Sequence, residues 1–176
     1  RKHGYNLTSN TSFINRTKSR ILEYINKKSK KRSIAILPFR GSEINQYSFI
    51  MKKINGRELI KYPVDIALRS KKITKVLVTS NDEKSLNKLK KSYFFNKKIL
   101  FHKREKKLSL FNTPLNETLK TCVKYLARKK IKFDYVYLIN TTSPFISEED
   151  INNSFNVLDF FKLDKVIGVL KQSNNF

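Results

Sequence analysis

Arg40, Gly41 and Ser42 stand just after an apolar run, SIAILP (33–38). A glycine behind a strand lets backbone N–H groups approach an anion. An arginine beside it offers a two-pronged guanidinium fork to a phosphate. The same triplet also fits a plain turn with a surface arginine. A second polar cluster, Thr79-Ser80-Asn81-Asp82, begins at the end of the apolar run KVLVTS (75–80). Asp82 could ligate a Mg2+ ion held by a nucleotide, or it could cap the helix that follows. A third cluster, Asn140-Thr141-Thr142-Ser143-Pro144, ends the run DYVYLIN (134–140). The amide of Asn140 can read a polar ligand edge. The hydroxyls of Thr142 and Ser143 either bind that ligand or cap the turn before Pro144. A fourth polar stretch, His102–Arg104, follows the run KILFH (98–102). One absence stands against phosphate chemistry: the loop LPFRGSEINQYSF (37–49) contains no lysine.

The elements that must carry these clusters are legible from periodicity. Short apolar runs at 33–38, 75–80, 98–102, 134–140 and 164–170 read as buried strands. Between them, GRELIKYPVDIALRS (56–70) has helical spacing through Leu59, Ile60, Val64, Ala67 and Leu68, with Pro63 in its first turn or kinking it. Residues 82–92 read as a short polar helix. Residues 115–130 read as a helix through Leu115, Leu119, Cys122, Val123 and Leu126. SEEDINNSFNVLDFF (147–161) opens on a near capping box, Ser147 with Asp150 three residues on. Strand and helix alternate with short joins, so the expected fold is α/β, a three-layer sandwich with a mostly parallel, Rossmann-like sheet. In such sheets ligands collect at the carboxyl ends of the strands, and all four polar clusters fall there. Residues 1–32 differ from the rest: 1–12 are polar without period, 13–25 have a possible helical face, and NKKSKKR (26–32) reads as a basic linker.

Composition narrows the class further. The chain has 176 residues, enough for one domain with a real core, and a net charge of +24. Such a charge fits nucleic acid or another anionic surface. It also fits an AT-rich coding bias, since Phe numbers 13 and Tyr 8 while Gly and Pro number 4 each. The charge is spread along the sequence rather than blocked, which favours the coding bias. Triplets such as Asn6-Leu7-Thr8 and Asn116-Glu117-Thr118 are then chance products of an Asn-rich chain. No run of 18 apolar residues marks a membrane span. The chain begins at Arg1 without a visible leader, and a reducing, cytoplasmic setting is expected. Cys122 is expected to be buried packing rather than a thiol catalyst, and His3 and His102 are too isolated to make a metal site.

Taken in order, these segments resemble the acylneuraminate cytidylyltransferases, the CMP-sialic acid synthetase family. The family's opening I-P-A-R-G-G-S-K-G-[IL]-P-x-K-N and its N-G-K-P-L-I helix start align with IAILPFRGSEINQYSFI and INGRELIKYPVDIALRS. Its I-V-S-T-D-D-E resembles LVTSNDE (77–83), and its R-P-x-E-L-A resembles REKKLS (104–109). Its L-Q-P-T-S-P-L-R with an E-D-I helix resembles INTTSPFISEEDI (139–151). The resemblance covers about residues 33–170. The Thr142-Ser143-Pro144 segment differs from the Q-G-D-E-P of the related Kdo cytidylyltransferases.

The resemblance implies a nucleotide-diphospho-sugar transferase (GT-A-like) fold over 33–176, preceded by a basic extension over 1–32. It implies transfer of CMP from CTP to a nonulosonic, sialic-type acid with Mg2+, releasing pyrophosphate, for surface polysaccharide synthesis. It places Arg40 as catalytic and phosphate-binding, and Gly41, Ser42, Asn81, Thr142 and Ser143 around the nucleotide. Arg104 and Asn140 fall on the sugar substrate, and Asp82 on the metal. Several family positions have changed type. The two loop lysines fall at Ile44 and Phe49, and the asparagine beside the second at Ile50. The first acid of S-T-D-D is Asn81, and the acid after R-P-x-E-L-A falls near Phe111. The glutamine of Q-P-T-S-P is Asn140, and the closing arginine is Ile146. Lys52 or Lys53 would reach the site only if the loop shifted register. Loss of one preorganised charge stabiliser typically lowers a rate by about 10²–10³, so weak or absent turnover is expected. The family continues beyond the position of Phe176 with a dimerisation excursion and further metal-binding acids. The chain is therefore expected to be a fragment or to lack those parts, and a homodimer requires them. Two other readings are a non-catalytic binding module and a basic nucleic-acid-binding protein, the second without a known basic–aromatic reader motif.

Overall fold

A computed structural model of the chain describes residues 21, 31–41, 44, 48–141 and 144–168. Residues 31–152 form one compact unit. Its centre is a four-stranded sheet of β1 (Ser33–Pro38), β4 (Ile73–Ser80), β5 (Ile99–Lys103) and β6 (Tyr135–Leu138), in the order β5-β4-β1-β6. Every neighbouring pair in this sheet is parallel. The two central strands are those with uninterrupted apolar runs, as strands covered on both faces require. Residues Ser33–Leu37 of β1 and Val76–Ser80 of β4 are buried. The edge strand β6 alternates instead, with Val136 and Leu138 exposed.

Helices α1 (Lys61–Arg69), α2 (Glu83–Ser92) and α3 (Leu115–Arg128) supply the crossovers that parallel strands need. On one face of the sheet, Ile34 and Ile36 of β1 and Leu77 of β4 cluster with Cys122 and Leu126 of α3. The alternate residues Ala35, Leu37, Val76 and Val78 point to the other face and are equally buried. The buried stripes of α1 (Val64, Ala67) and α2 (Leu86, Leu89) pack against β4 and β5. This is the expected α/β architecture with a Rossmann-like parallel sheet. Cys122 is core packing, as its apolar periodicity indicates; burial pushes its thiol up.

Three local features depart from the sequence expectation. The helix expected from Gly56 starts only at Lys61. Before it comes an antiparallel hairpin, β2 (Lys53–Ile54) and β3 (Arg57–Glu58). Its turn residues Asn55 and Gly56 have φ of 49° and 76°, the left-handed conformations a tight two-residue hairpin demands. Pro63 then sits in the first turn of α1, where its missing N–H matters least. The fifth strand expected over 164–170 is not formed at residues 164–168, and 169–170 lie outside the described residues. Ile167 there is exposed; an apolar run becomes a strand only where a sheet edge receives it. In α3, Leu115 and Val123 are both partly exposed, although the spacing placed both on the inner face. The expected helix over 13–25 lies outside the described residues apart from Ile21, and so does most of the linker over 26–32. Arg32 is described, and its backbone N–H donates to Asp134 Oδ2 at 2.7 Å.

Side chains close two of the helix termini. Ser147 Oγ accepts from the Asp150 N–H (3.0 Å), and Asp150 Oδ2 accepts from the Ser147 N–H (2.9 Å), closing a reciprocal cap at the start of α4 (Glu148–Phe160). The C-terminal carbonyl of Leu68 in α1 and that of Ser70 accept from Lys98 Nζ at 2.7 and 2.8 Å, a cation where the helix dipole favours one. Residues 1–30 and 153–176 make up a second unit. Within its described part the last turns of α4 close on bonds from Phe161 N to Val157 O and from Leu163 N to Leu158 O.

Candidate nucleotide site

The carboxyl ends of the strands are tied to one another by backbone and side-chain bonds. Phe39 N donates to Thr79 O (3.0 Å), and Arg104 N donates to Ser80 O (2.9 Å). Thr141 Oγ1 donates to Pro38 O (3.3 Å). The Arg104 side chain joins three segments at once. Its Nε donates to Ser109 Oγ (2.8 Å), Nη1 to Thr79 O (3.1 Å) and Nη2 to Phe39 O (2.9 Å). Arg104 is 5% exposed, and burial draws its guanidinium down to about 10. It therefore remains a cation at neutral pH, held in place under the loop that follows β1.

That loop is fitted against the end of β4. A β-carbon on Gly41 would lie 2.5 Å from Asp82 Cβ, so only glycine allows this approach. The Gly41 N–H donates to Asn81 Oδ1 at 3.3 Å. Asp82 is the N-cap of α2: its Oδ1 accepts from the Ser85 N–H (3.0 Å) and its Oδ2 from the Ser85 hydroxyl (2.6 Å). Of the two roles open to Asp82, the cap is therefore in place. Among the described residues, no three His, Cys, Asp or Glu side chains converge as a metal site. A lone carboxylate already engaged at both oxygens does not fit a protein-built Mg2+ cage.

Above Arg104 opens a cavity of about 460 Å³, in the size range of small-molecule sites. Its polar lining includes Arg40, Arg104 and Asn140; Phe49, Ile50 and Leu115 contribute apolar wall. Three residues singled out by the sequence thus meet around one space. Gly41 meets Asn81 and Asp82 where the loop after β1 touches the end of β4. Ser42, Thr142 and Ser143 lie outside the described residues. The Arg40 guanidinium lies over the ring of Phe111 (5.0 Å to its centre), and its Nη2 donates to Leu110 O at 3.2 Å. Ser48 Oγ donates to Arg40 O (3.1 Å), securing the loop's return. Lys52 does not enter the cavity by a register shift. Its ammonium lies 4.8 Å over the ring of Phe49, a cavity-wall residue. His102 is buried, with Nδ1 3.2 Å from Thr79 Oγ1 and its ring on Tyr125. Desolvation, then the cations Arg128 and Arg104, lower its pKa, so it serves the core as a neutral ring.

The sequence names Phe49 and Ile50 as changed family positions but does not foresee an apolar half to the cavity. That half comes from the return of the loop (Phe49, Ile50), the 3-10 turn Lys106–Ser109 and the start of α3. The available signal was Arg104 followed by Ser109: a buried arginine needs acceptors, and the chain folds back to supply one.

Residues 50–160, more than half of the chain, match the cytidylyltransferase family. The chain belongs to that family. The match begins after Arg40 and Gly41. Comparison with the curated proteins finds no match. Among solved structures, a 4-diphosphocytidyl-2C-methyl-D-erythritol synthase is similar at a TM-score of 0.55 and 13% identity, with 70% of this chain and 52% of that one covered. A cytidylyltransferase from Leptospira borgpetersenii serovar Hardjo-bovis (strain JB197) gives 0.53 and 12%, covering 73% and 49%. A CMP:2-keto-3-deoxy-manno-octonic acid synthetase solved with CTP gives 0.51 and 16%, covering 72% and 47%. These likenesses concern the fold. The chain spans about half the length of the structures it matches. Among the described residues, no helix is long and apolar enough to cross a membrane.

Proposed function

We propose that the cavity above Arg104 takes CTP, and that the chain belongs to the branch of its family that transfers CMP to a nonulosonic, sialic-type acid. The observation that carries this reading is the meeting of Arg40, Arg104 and Asn140 around one cavity at the carboxyl edge of a parallel sheet. In the reaction, the anomeric hydroxyl oxygen of the sugar acid attacks the α-phosphorus of CTP. The bond from the α-phosphorus to the β-phosphate bridging oxygen breaks, pyrophosphate departs, and the hydroxyl proton passes to solvent. Such transfers depend on positioning and on neutralising charge. Arg40 is the group for that task, as a fork on the phosphates. Arg104 adds a fixed positive charge from beneath, and Asn140 offers its amide to the sugar acid. Mg2+ enters only as the ion that accompanies the triphosphate.

Phe49 and Ile50 favour a second reading, binding without turnover. They occupy the aligned positions of a lysine and an asparagine, and both line the cavity. A hydrocarbon wall there supplies no charge to a departing pyrophosphate. Calorimetric titration of CTP with Mg2+ into the full chain, with ATP and GTP as controls, tests the nucleotide. Selective CTP binding, abolished by Arg40→Ala, is the expected result. An unchanged affinity in that variant removes Arg40 from the site, and no binding to any nucleotide removes the reading. Pyrophosphate release with candidate nonulosonic acids then separates turnover from binding alone.

A further inference from the structure

The other edge of the sheet carries a different surface. Four connections enter the strands there: Lys31–Arg32 before β1, Ser70–Lys72 before β4, Tyr93–Lys98 before β5 and Lys129–Asp134 before β6. Lys71, Lys97, Lys129, Lys130, Lys132 and Arg32 are all exposed in these connections. Asp134 is the one acid among them, and it is paired with Arg32 (3.6 Å). Neighbouring strands lie about 4.8 Å apart, so the cations form a row about 15 Å long across the sheet.

At one end of the row, before the edge strand β5, Phe94 and Phe95 project almost wholly into solvent, 78% and 93% exposed. The turn that presents them is built, not loose. Tyr93 donates to Asp65 Oδ1 (2.7 Å), Asn96 N to Tyr93 O (3.0 Å), and Lys98 N to Asn96 Oδ1 (2.9 Å). The two rings meet edge to face, 5.1 Å between centres at 81°.

We propose that this edge docks on an anionic lipid surface, with Phe94 and Phe95 inserted at the headgroup boundary and the lysine row lying over the acidic headgroups. Both parts of the match are chemical. Apolar rings at a protruding tip gain by leaving water, and clustered lysines gain from the negative surface potential. Exposed rings beside cations would also suit a single nucleic-acid strand, and that alternative is an outcome of the test below.

The test is co-sedimentation of the full chain with vesicles of phosphatidylcholine alone and of phosphatidylcholine mixed with phosphatidylserine. Single-stranded RNA serves as a soluble polyanion control. Binding to the anionic vesicles alone is expected. Phe94→Ser with Phe95→Ser should weaken it roughly tenfold or more. Lys71→Glu with Lys130→Glu should weaken it by at least about tenfold and lessen its salt dependence. All four residues are exposed, so an unchanged thermal melt should accompany each loss. Failure to bind anionic vesicles overturns the proposal. So does vesicle binding that the two serines leave intact, or RNA binding that matches vesicle binding at equal salt; these outcomes describe a generic polycation. Nucleotide binding at the opposite edge is read separately and does not bear on this result.

Discussion

The two edges of one parallel sheet differ in how their charges are settled. At the carboxyl edge, the charged groups Arg40, Arg104 and Asp82 are all engaged. Arg104 is buried on three acceptors, Arg40 lies on Phe111 and the Leu110 carbonyl, and Asp82 caps a helix. At the amino edge, exposed lysines line up with a single paired acid. The carboxyl edge is therefore expected to answer substitution with stability, and the amino edge with adhesion.

The largest effect should come from Arg104→Ala. It strips the Phe39 and Thr79 carbonyls and the Ser109 hydroxyl of their donor, and about 3–5 kcal/mol of unfolding free energy is expected to go with it. Urea denaturation measures the loss, and a change below about 1 kcal/mol would erase the contrast between the edges. Gly41→Ala comes next, at about 1–3 kcal/mol, because the new methyl meets Asp82 Cβ. In an Asp82→Gly background the same change should cost markedly less, since glycine still serves tolerably at an N-cap. A double-mutant cycle reads this directly.

Glu58 sharpens the comparison from outside both edges. It is buried and pairs with Lys61 (2.9 Å) and Lys88 (2.8 Å), and those bonds bring its carboxyl down to about 2 from 4.5. A carboxylate lowered in the folded state stabilises above its unfolded pKa, and that contribution fades as pH falls from 4.5 toward 2. Glu58→Gln should cost about 2 kcal/mol at neutral pH and flatten the stability profile across that window. Melts across a pH series are the check. The smallest effect is assigned to Phe94→Ser with Phe95→Ser: within about 0.5 kcal/mol of the parent in the same melts.

Much of this arrangement is legible in the sequence, for physical reasons that also mark the limits. The strands at 33–38 and 75–80 are covered on both faces, so their apolar runs are unbroken and hard to misread. Asp82 and Ser147 announce helix starts because capping is a local event. Arg40, Arg104 and Asn140 could be named because strand ends gather ligands in any open parallel sheet. The hairpin around Asn55-Gly56 carried its own turn signal, but the helical spacing of the residues beyond it competed and won. The segment at 164–168 fails as a strand because apolar composition names no partner. Phe49 and Ile50 enter the cavity only through the loop's return path. The lysine row is hidden for a deeper reason. Each entry to the sheet is separated from the next by a full crossover, so charges far apart along the chain become neighbours only through topology.

The uniform direction of the four strands has one more result. β1 is six residues long, and a strand rises about 3.3 Å per residue, so the two edges are held about 20 Å apart. The sheet is thus a spacer of fixed length and fixed polarity. Whatever fastens to its lysine edge sets a standoff of about that distance for the residues at the other end of the strands.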